Sequence, residues 1–438
     1  MTMSDKLFGT DGIRGVAGSE LSAELAVAVG HAAAAVAPAR RPQVVIVRDT
    51  RDSGPMLESA FAAGIAQGGG DAWLAGVLPT PAASVLVRRH GLDLAAVVSA
   101  SHNPWRDNGI KLFGRDGRKL PDELEAEIER LIAARRPAPA AVGRVRALNS
   151  AADDYLRELA TVFSLDLRGR RIVLDCANGA AHRVAPDAFS RLGAEVGAIA
   201  AEPDGRNIND GCGSTDPAAL AARVAAAEAD LGFAFDGDAD RVIAVDRGGA
   251  VRDGDELLAL IATDLARRGA LGGGVAVTVM SNYGFHEAMA AAGIEVATTP
   301  VGDRYVAEAL EERGWSLGGE QSGHLLWAEA GRTGDGIAGA LLVMSALGDR
   351  DLAEAIPMRK LPQALVNVPI ADRGALADAH AVEEAVERES AALEGRGRIL
   401  LRPSGTEPVV RVMVEAPTRE EADQVARRLA SLVERELA

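Results

Sequence analysis

One pattern recurs along this chain and limits what it can fold into. Short apolar runs end abruptly in small and polar residues. QVVIV runs into RDTRDSG, LAAVV into SASHNP, RIVLDC into ANGAA, LGFAF into DGDADR, VAVTVM into SNYG, and WSLGG into EQSGH. Between them lie stretches with helical character, such as AELAVAVGHAAAAVA behind the capping residue Ser22. Buried runs of this length alternating with helices predict mostly parallel sheets covered by helices. In such sheets ligands bind beyond the carboxyl ends of the strands. The polar residues gather there.

With 438 residues the chain is too long for one core and predicts three or four domains. Breaks are expected near ARRPAPAAVGRVR, near Asp246 to Asp255 (DRGGAVRDGD) and near PMRKLPQA. They divide the chain into 1–145, 146–250, 251–362 and 363–438. The last block differs in style. It has a strand (ALVNVPI), a helix from about Gly374 to Leu393, the stretch GRILLRPSGTEPVVRVMVEA and a final helix. Thr418 and Glu421 have capping-box spacing for that helix. A smaller α+β domain with an antiparallel sheet is predicted. Hydrophobic residues make up 48% and aromatics only 3%, so Ala, Val, Leu and Ile must fill the cores.

A net charge of −16 argues against broad binding of nucleic acid phosphates. It does not exclude a small anionic substrate, because a local cluster of Arg and Lys can reverse the potential in a cleft. Cys176 and Cys212 make no disulfide framework and lack metal-ligand spacing; buried thiols are expected. No segment has the length of a membrane span, and MTMSDKLFGTDGIRG has no apolar signal core. A cytoplasmic protein without a membrane partner is expected.

Several loops carry chemistry, and each has two readings. SASHNP can be a turn, since Ser and Asn favour turns and Pro104 bars a central strand. It can also present a serine nucleophile or phosphate carrier, with Lys111 close behind. FDGDADR places Asp236, Asp238 and Asp240 at alternate positions straight after a strand. Three carboxylates so close repel one another, and a hard divalent cation resolves that best; the rival is a solvated acidic turn. An EF-hand loop is excluded, because Arg241 and Arg247 occupy the positions that need Gly and Glu. Few carboxylates plus a phosphate oxygen suit Mg²⁺ over Ca²⁺.

RPSGTEP is either a hairpin turn or a phosphate cup made by Arg402, Ser404, Thr406 and backbone N–H groups around Gly405. GGEQSGH suits a hydroxyl-rich ligand such as a sugar, or an ordinary polar loop, and its His324 could move protons near neutrality. FGTDGIRG, with three glycines and Arg14, could approach a phosphate closely. His31 and His90 lie in helical stretches and are expected to be uninvolved.

In this order and spacing the chain resembles the α-D-phosphohexomutase superfamily over essentially its whole length. ASHNPWRDNGIK resembles the phosphoserine loop, DGDADR the metal loop, GGEQSGH the sugar-binding loop and RPSGTEP the phosphate-binding loop. FGTDGIRG and the Gln of GEQSGH resemble the phosphoglucosamine mutase branch; phosphomannomutase/phosphoglucomutase enzymes more often have Met beside that Glu. Val47 departs from the family's usual Gly, which bears on the local strand-to-loop geometry.

The resemblance implies an α/β fold. It has three similar α/β domains with mixed, mostly parallel sheets and a smaller α+β C-terminal domain around a central cleft. It implies a phosphoserine at Ser101, with no chemistry for Ser99. It implies Mg²⁺ held by Asp236, Asp238, Asp240 and the Ser101 phosphate. Phosphate would move between O6 and O1 of a hexosamine phosphate through a sugar 1,6-bisphosphate, feeding UDP-N-acetylglucosamine and cell-wall precursor synthesis. Lys111 is expected as base in at least one half-reaction, provided cations such as Arg14 and Arg241 lower its pKa, with His324 as the other candidate. Arg241, Glu320 and Ser322 would meet the sugar phosphate. Arg402, Ser404, Gly405 and Thr406 would grip the non-reacting phosphate, with help from Arg411. A homodimer is possible. A mutase for glucose or mannose phosphate is the rival within the family. A phosphatase and a non-catalytic sugar-phosphate sensor are rivals outside it.

Overall fold

The computed structural model describes residues 6–9, 11–134, 141–370, 376, 379–393, 395–403 and 409–437. They form two compact units. One comprises Met1–Met280 with Ile294–Ile356; the other comprises Ser281–Gly293 with Pro357–Ala438.

The first unit is built on three sheets. The first holds β1 (Ile13–Val16), β2 (Gln43–Arg48), β3 (Asp71–Val77), β4 (Leu94–Val98), β5 (Asp107–Gly114) and β6 (Val145–Ala147), in the order β1-β5-β4-β2-β3-β6. β2 is parallel to β3 and β4, and β3 to β6, whereas β5 runs antiparallel between β4 and β1. The second sheet holds β7 (Arg171–Asp175), β8 (Glu195–Ile199), β9 (Leu231–Phe235), β10 (Val242–Asp246) and β11 (Val251–Arg252). Its parallel core, β9-β7-β8, carries the antiparallel strands β10 and β11 at one edge. The third holds β12 (Gly274–Thr278), β13 (Glu295–Thr299), β14 (Leu317–Gly319) and β15 (Leu325–Trp327). Here β12 is parallel to β13 and β14, and β15 is antiparallel to β14.

Every residue of β4, β9, β10 and β12 is buried. That explains why these strands read as continuous apolar runs rather than alternating ones. The core of the first sheet is mainly aliphatic, with Phe61 sharing it with Val44, Ile46, Leu57, Ile65, Val98 and Leu112. Ser22 caps the helix Ala23–Val36 as expected, its Oγ accepting from the Leu25 N–H at 3.2 Å. Val47 is fully buried and pairs with Val97, and the register against β3 shifts between Ile46 and Val47.

The second unit contains β16 (Gln363–Pro369), β17 (Arg398–Pro403) and β18 (Val409–Glu415), all antiparallel, in the order β16-β18-β17. The helices His380–Leu393 and Arg419–Leu437 share its apolar core through residues such as Val382, Val425 and Leu429. The Thr418 Oγ1 accepts from the Glu421 N–H at 3.2 Å, as its spacing predicts.

Two local expectations change. GRVR, taken as linker, supplies β6, because its backbone completes the edge beside β3. The helix expected from Gly374 begins, among the described residues, at His380; Gly374 itself lies outside them. Cys176 and Cys212 are both free and buried, and burial pushes both thiols up, Cys212 to about 12. Among the described residues no helix is long and apolar enough to cross a membrane.

Candidate active site

Ser101 follows β4 by three residues and is 1% exposed. Its φ of +52° places a non-glycine residue in the left-handed region, at a cost of about 1–2 kcal/mol. The surroundings enforce this. Its carbonyl accepts from Arg51 Nη2 at 2.8 Å and from Asn209 Nδ2 at 2.9 Å. Its N–H donates to Ser99 Oγ at 3.0 Å, and Ser99 in turn donates to Asp49 Oδ2 at 2.6 Å. Ser99 therefore shapes the loop. The Oγ of Ser101 donates to Asp236 Oδ2 at 2.6 Å.

Asp236, Asp238 and Asp240 follow β9 and are all buried, each offering an oxygen within 4.8 Å of the others. At that separation two charges repel by about 3 kcal/mol even at an effective dielectric near 20. Gly237 lets the loop approach the serine: a Cβ there would lie 2.5 Å from the Ser101 carbonyl oxygen. Thr80 braces the loop from outside, donating its N–H to the Asp238 carbonyl at 2.9 Å and its hydroxyl to Oδ2 at 2.6 Å. Among the described residues, Asp238 Oδ1 and Asp240 Oδ1 are buried and accept no hydrogen bond. Such oxygens are costly unless a ligand takes them up. The donor set is all oxygen and suits a hard divalent cation.

Burial, reinforced by Asp240 and Asp238, holds the Asp236 carboxyl well above the usual range. Asp240 goes the other way: burial alone would raise it, but Lys111, His324 and Arg241 hold it low.

Lys111, on β5, is buried, with its Nζ 2.9 Å from Asp238 Oδ2, 2.9 Å from Asp11 Oδ2 and 3.6 Å from Asp240 Oδ2. Burial opposes its charge, yet these three carboxylates outweigh it and hold the ammonium well above the ordinary lysine value. The depressed pKa expected of a lysine base is thus not what these neighbours produce. Arg14 does oppose the charge, but too weakly to decide. His324 behaves likewise. Burial opposes its charge, but Asp240, Asp303 and Glu320 raise it to about 9. Gly334 makes room for this ring: a Cβ there would lie 2.4 Å from His324 Nε2.

Arg14 pairs with Asp11. Arg241 places its Nη1 3.2 Å from His102 Nδ1 and its Nε 3.8 Å from Asp240 Oδ1. Glu320, between β14 and β15, accepts the Gly302 N–H on Oε1 at 3.2 Å and acts electrostatically on both Arg241 and His324. Ser322 is exposed in the same turn. In the second unit, Arg402 and Arg411 stand directly opposite one another on β17 and β18. Burial, then Arg411, pushes Arg402 down. Like charges directly opposite one another are unfavourable. Ser404, Gly405 and Thr406 lie outside the described residues.

Comparison with known proteins accounts for this arrangement. The Phosphoglucomutase/phosphomannomutase models match in four parts: alpha/beta/alpha domain I at residues 5–138, domain II at 153–249, domain III at 253–361, and the C-terminal domain at 365–432. The chain belongs to this family. Within it, the chain is 52% identical to a phosphoglucosamine mutase of Moorella thermoacetica, over 96% of this chain and 97% of that one. It is 50% identical to one of Pelotomaculum thermopropionicum, over 98% of each. These relatives place it in the phosphoglucosamine mutase branch. Among solved structures it resembles a family protein from Burkholderia thailandensis, with a TM-score of 0.82 and 25% identity, covering 98% of this chain and 97% of that one. It shares its fold with the Aspergillus fumigatus N-acetylphosphoglucosamine mutase in complex with GlcNAc-6P and magnesium, with a TM-score of 0.68 and 20% identity, covering 99% and 96%.

Several residues of this family member escaped the motif reading. Arg51 is fully buried, ion-paired to Asp49 at 2.8 Å, and donates to the carbonyls of Ser101, Asn103, Pro104 and Asp107. It lies in RDTRDSG directly after β2, a strand-end position that could have marked it. Asp11 was visible inside FGTDGIRG. Lys119 and Asp303 gave no signal.

Proposed function

We propose that this chain interconverts glucosamine-6-phosphate and glucosamine-1-phosphate by way of a phosphoserine at Ser101. The observation that carries this reading is the contact between the Ser101 hydroxyl and Asp236, inside a buried carboxylate trio with Lys111 against it. The choice of sugar rests on the relatives of about half-identical sequence that bear the phosphoglucosamine mutase name.

Asp236, Asp238 and Asp240 would hold Mg²⁺, the ion present in the fungal structure of the same fold. Bound there, the ion supplies positive charge for the departing phosphoryl group and offsets the carboxylates that keep Lys111 and His324 protonated. A sugar hydroxyl attacks the phosphorus in line, the bond from phosphorus to Ser101 Oγ breaks, and a sugar 1,6-bisphosphate results. After the bisphosphate reorients, Ser101 Oγ attacks its other phosphorus, the bond from that phosphorus to the sugar oxygen breaks, and phosphoserine and the isomeric monophosphate result. The hydroxyl proton passes to Lys111 in at least one half-reaction, and His324 is the second proton carrier. The proton needed by the departing Ser101 Oγ comes from the same pair. Glu320 and Ser322 orient the sugar hydroxyls, and Arg14 and Arg241 face the phosphoryl charge. Arg402 and Arg411, with Ser404, Gly405 and Thr406, grip the phosphate that is not reacting. The product is a precursor for amino-sugar and cell-wall synthesis.

The test is kcat/KM for glucosamine-6-phosphate, glucose-6-phosphate and mannose-6-phosphate, with Mg²⁺ and a trace of sugar bisphosphate. Preference for the amino sugar is expected. Preference for glucose or mannose phosphate would overturn the substrate assignment and keep the mechanism. Release of inorganic phosphate in place of isomer would make it a phosphatase.

A further inference from the structure

Six charged side chains of the first unit close on themselves. Lys111 Nζ lies 2.9 Å from Asp11 Oδ2, and Asp11 Oδ1 lies 2.7 Å from Lys119 Nζ. Lys119 Nζ is 2.7 Å from Asp303 Oδ2, which is 3.4 Å from His324 Nε2. His324 Nδ1 is 3.6 Å from Asp240 Oδ1, and Asp240 Oδ2 is 3.6 Å from Lys111 Nζ. Cation and anion alternate around the whole ring. Its members come from the surroundings of three sheets: Lys111 on β5, with Asp11 before β1 and Lys119 after β5; Asp240 between β9 and β10; Asp303 at the start of a helix after β13, and His324 between β14 and β15.

Lys119 and Asp303 touch neither Ser101 nor any carboxylate of the trio. Lys119 sits on the turn after β5, bridged to Phe113. Asp303 opens the helix Asp303–Arg313, where the helix dipole favours a carboxylate. Neighbouring pairs cross the same junction, Arg118 to Glu311 and Arg304 to Asp122, but their side chains are 39–60% exposed. Such surface pairs contribute little. Lys119, Asp11 and Asp303 are only 19–25% exposed, so their contacts are the ones with leverage.

We propose that Lys119 and Asp303 are positioning residues for phosphoryl transfer, the two links that close this ring and fix Lys111 and His324 on either side of Asp240. The proposal rests on the Ser101 reading above. Neither residue exchanges a proton or meets the sugar; each sets the place of a group that does.

The experiment measures turnover of glucosamine-6-phosphate by the Mg²⁺-loaded enzyme with sugar bisphosphate, alongside thermal unfolding. It compares the unmodified chain with K119M, D303N, the double variant, K119R and D303E. Each of K119M and D303N should lower kcat about tenfold or more with KM within about threefold, since small misplacements cost rate rather than binding. The double variant should lose no more than about twofold beyond the worse single, because one broken ring cannot be broken again. K119R and D303E should recover most of the loss. Four results would overturn the proposal: kcat within about twofold of the unmodified chain, a loss confined to KM, losses that multiply in the double variant, or no recovery in K119R and D303E. If the unmodified chain itself shows no mutase turnover, the Ser101 reading has failed instead.

Discussion

The hydroxyl of Ser101 and the carboxylate of Asp236 meet at 2.6 Å although 135 positions separate them in sequence. One follows β4 of the first sheet and the other follows β9 of the second. Each stands beyond the carboxyl end of a buried strand. The polar residues at those two strand ends are thus parts of one site.

Burial and crowding by Asp238 and Asp240, which that contact only partly relieves, make Asp236 a source of tension without an ion. Burial and its two acidic neighbours hold its carboxyl well above the usual range, so the folded ion-free protein keeps a proton the unfolded chain would release. Stability from this group is lost as pH rises toward the folded value. D236N should therefore melt higher than the unmodified chain at neutral pH without Mg²⁺. The unmodified chain should gain stability on adding Mg²⁺, by about 2.7 kcal/mol at a hundredfold excess over Kd, and D236N should gain far less. Calorimetry with and without Mg²⁺ checks both; equal gains would contradict the assignment of Asp236 to the ion.

Arg51 holds the serine loop by its carbonyls and leaves Asp49 without a countercharge if removed. R51M should cost about 3–5 kcal/mol, the usual consequence of breaking a buried pair. Urea unfolding measures it. A loss under about 1 kcal/mol would show that the loop holds its own shape.

Glu125, on the helix Asp122–Ala133, predicts a pH effect remote from the trio. Burial and the nearby Asp122 raise its carboxyl to about 7, against the pull of Lys6 and Arg304. A raised folded value means that its contribution is present below the ordinary glutamate range and is lost as pH rises through about 7. E125Q should melt higher than the unmodified chain at pH 8 and lose that advantage at pH 5. The same difference at both pH values would refute the shift.

Arg402 and Arg411 repel across β17 and β18, a contact worth a few tenths to about 1 kcal/mol. R402M should unfold no earlier than the unmodified chain in phosphate-free buffer. It should also raise KM for glucosamine-6-phosphate about tenfold with a smaller change in kcat, as loss of a non-reacting grip demands. Steady-state kinetics and melting curves test the two halves; an unchanged KM would remove Arg402 from the phosphate grip.

The sheets were legible because strands buried on both faces write continuous apolar runs, as LGFAF and LAAVV do. Ser101 and the Asp trio stood out because they directly follow such runs, and the structure brings them together with Lys111 of β5. What escaped depends on distant parts meeting. Lys119 and Asp303 are 184 positions apart, and neither sits in a motif. For Lys111, cations in the motifs suggest a depressed pKa, whereas Asp11, Asp238 and Asp240 together outweigh them and raise it. The GRVR segment looked like linker because a short, fully exposed edge strand carries no apolar signal.

The most direct measurement is intact-mass and peptide analysis of the protein and of S101A after incubation with Mg²⁺ and a glucosamine bisphosphate. One phosphoryl group should appear on the protein, on the peptide bearing Ser101, and should return to glucosamine-6-phosphate as the bisphosphate; S101A should take up none and turn over nothing. Phosphoryl found on another residue, or isomerisation by S101A at a rate near that of the unmodified chain, would contradict the account.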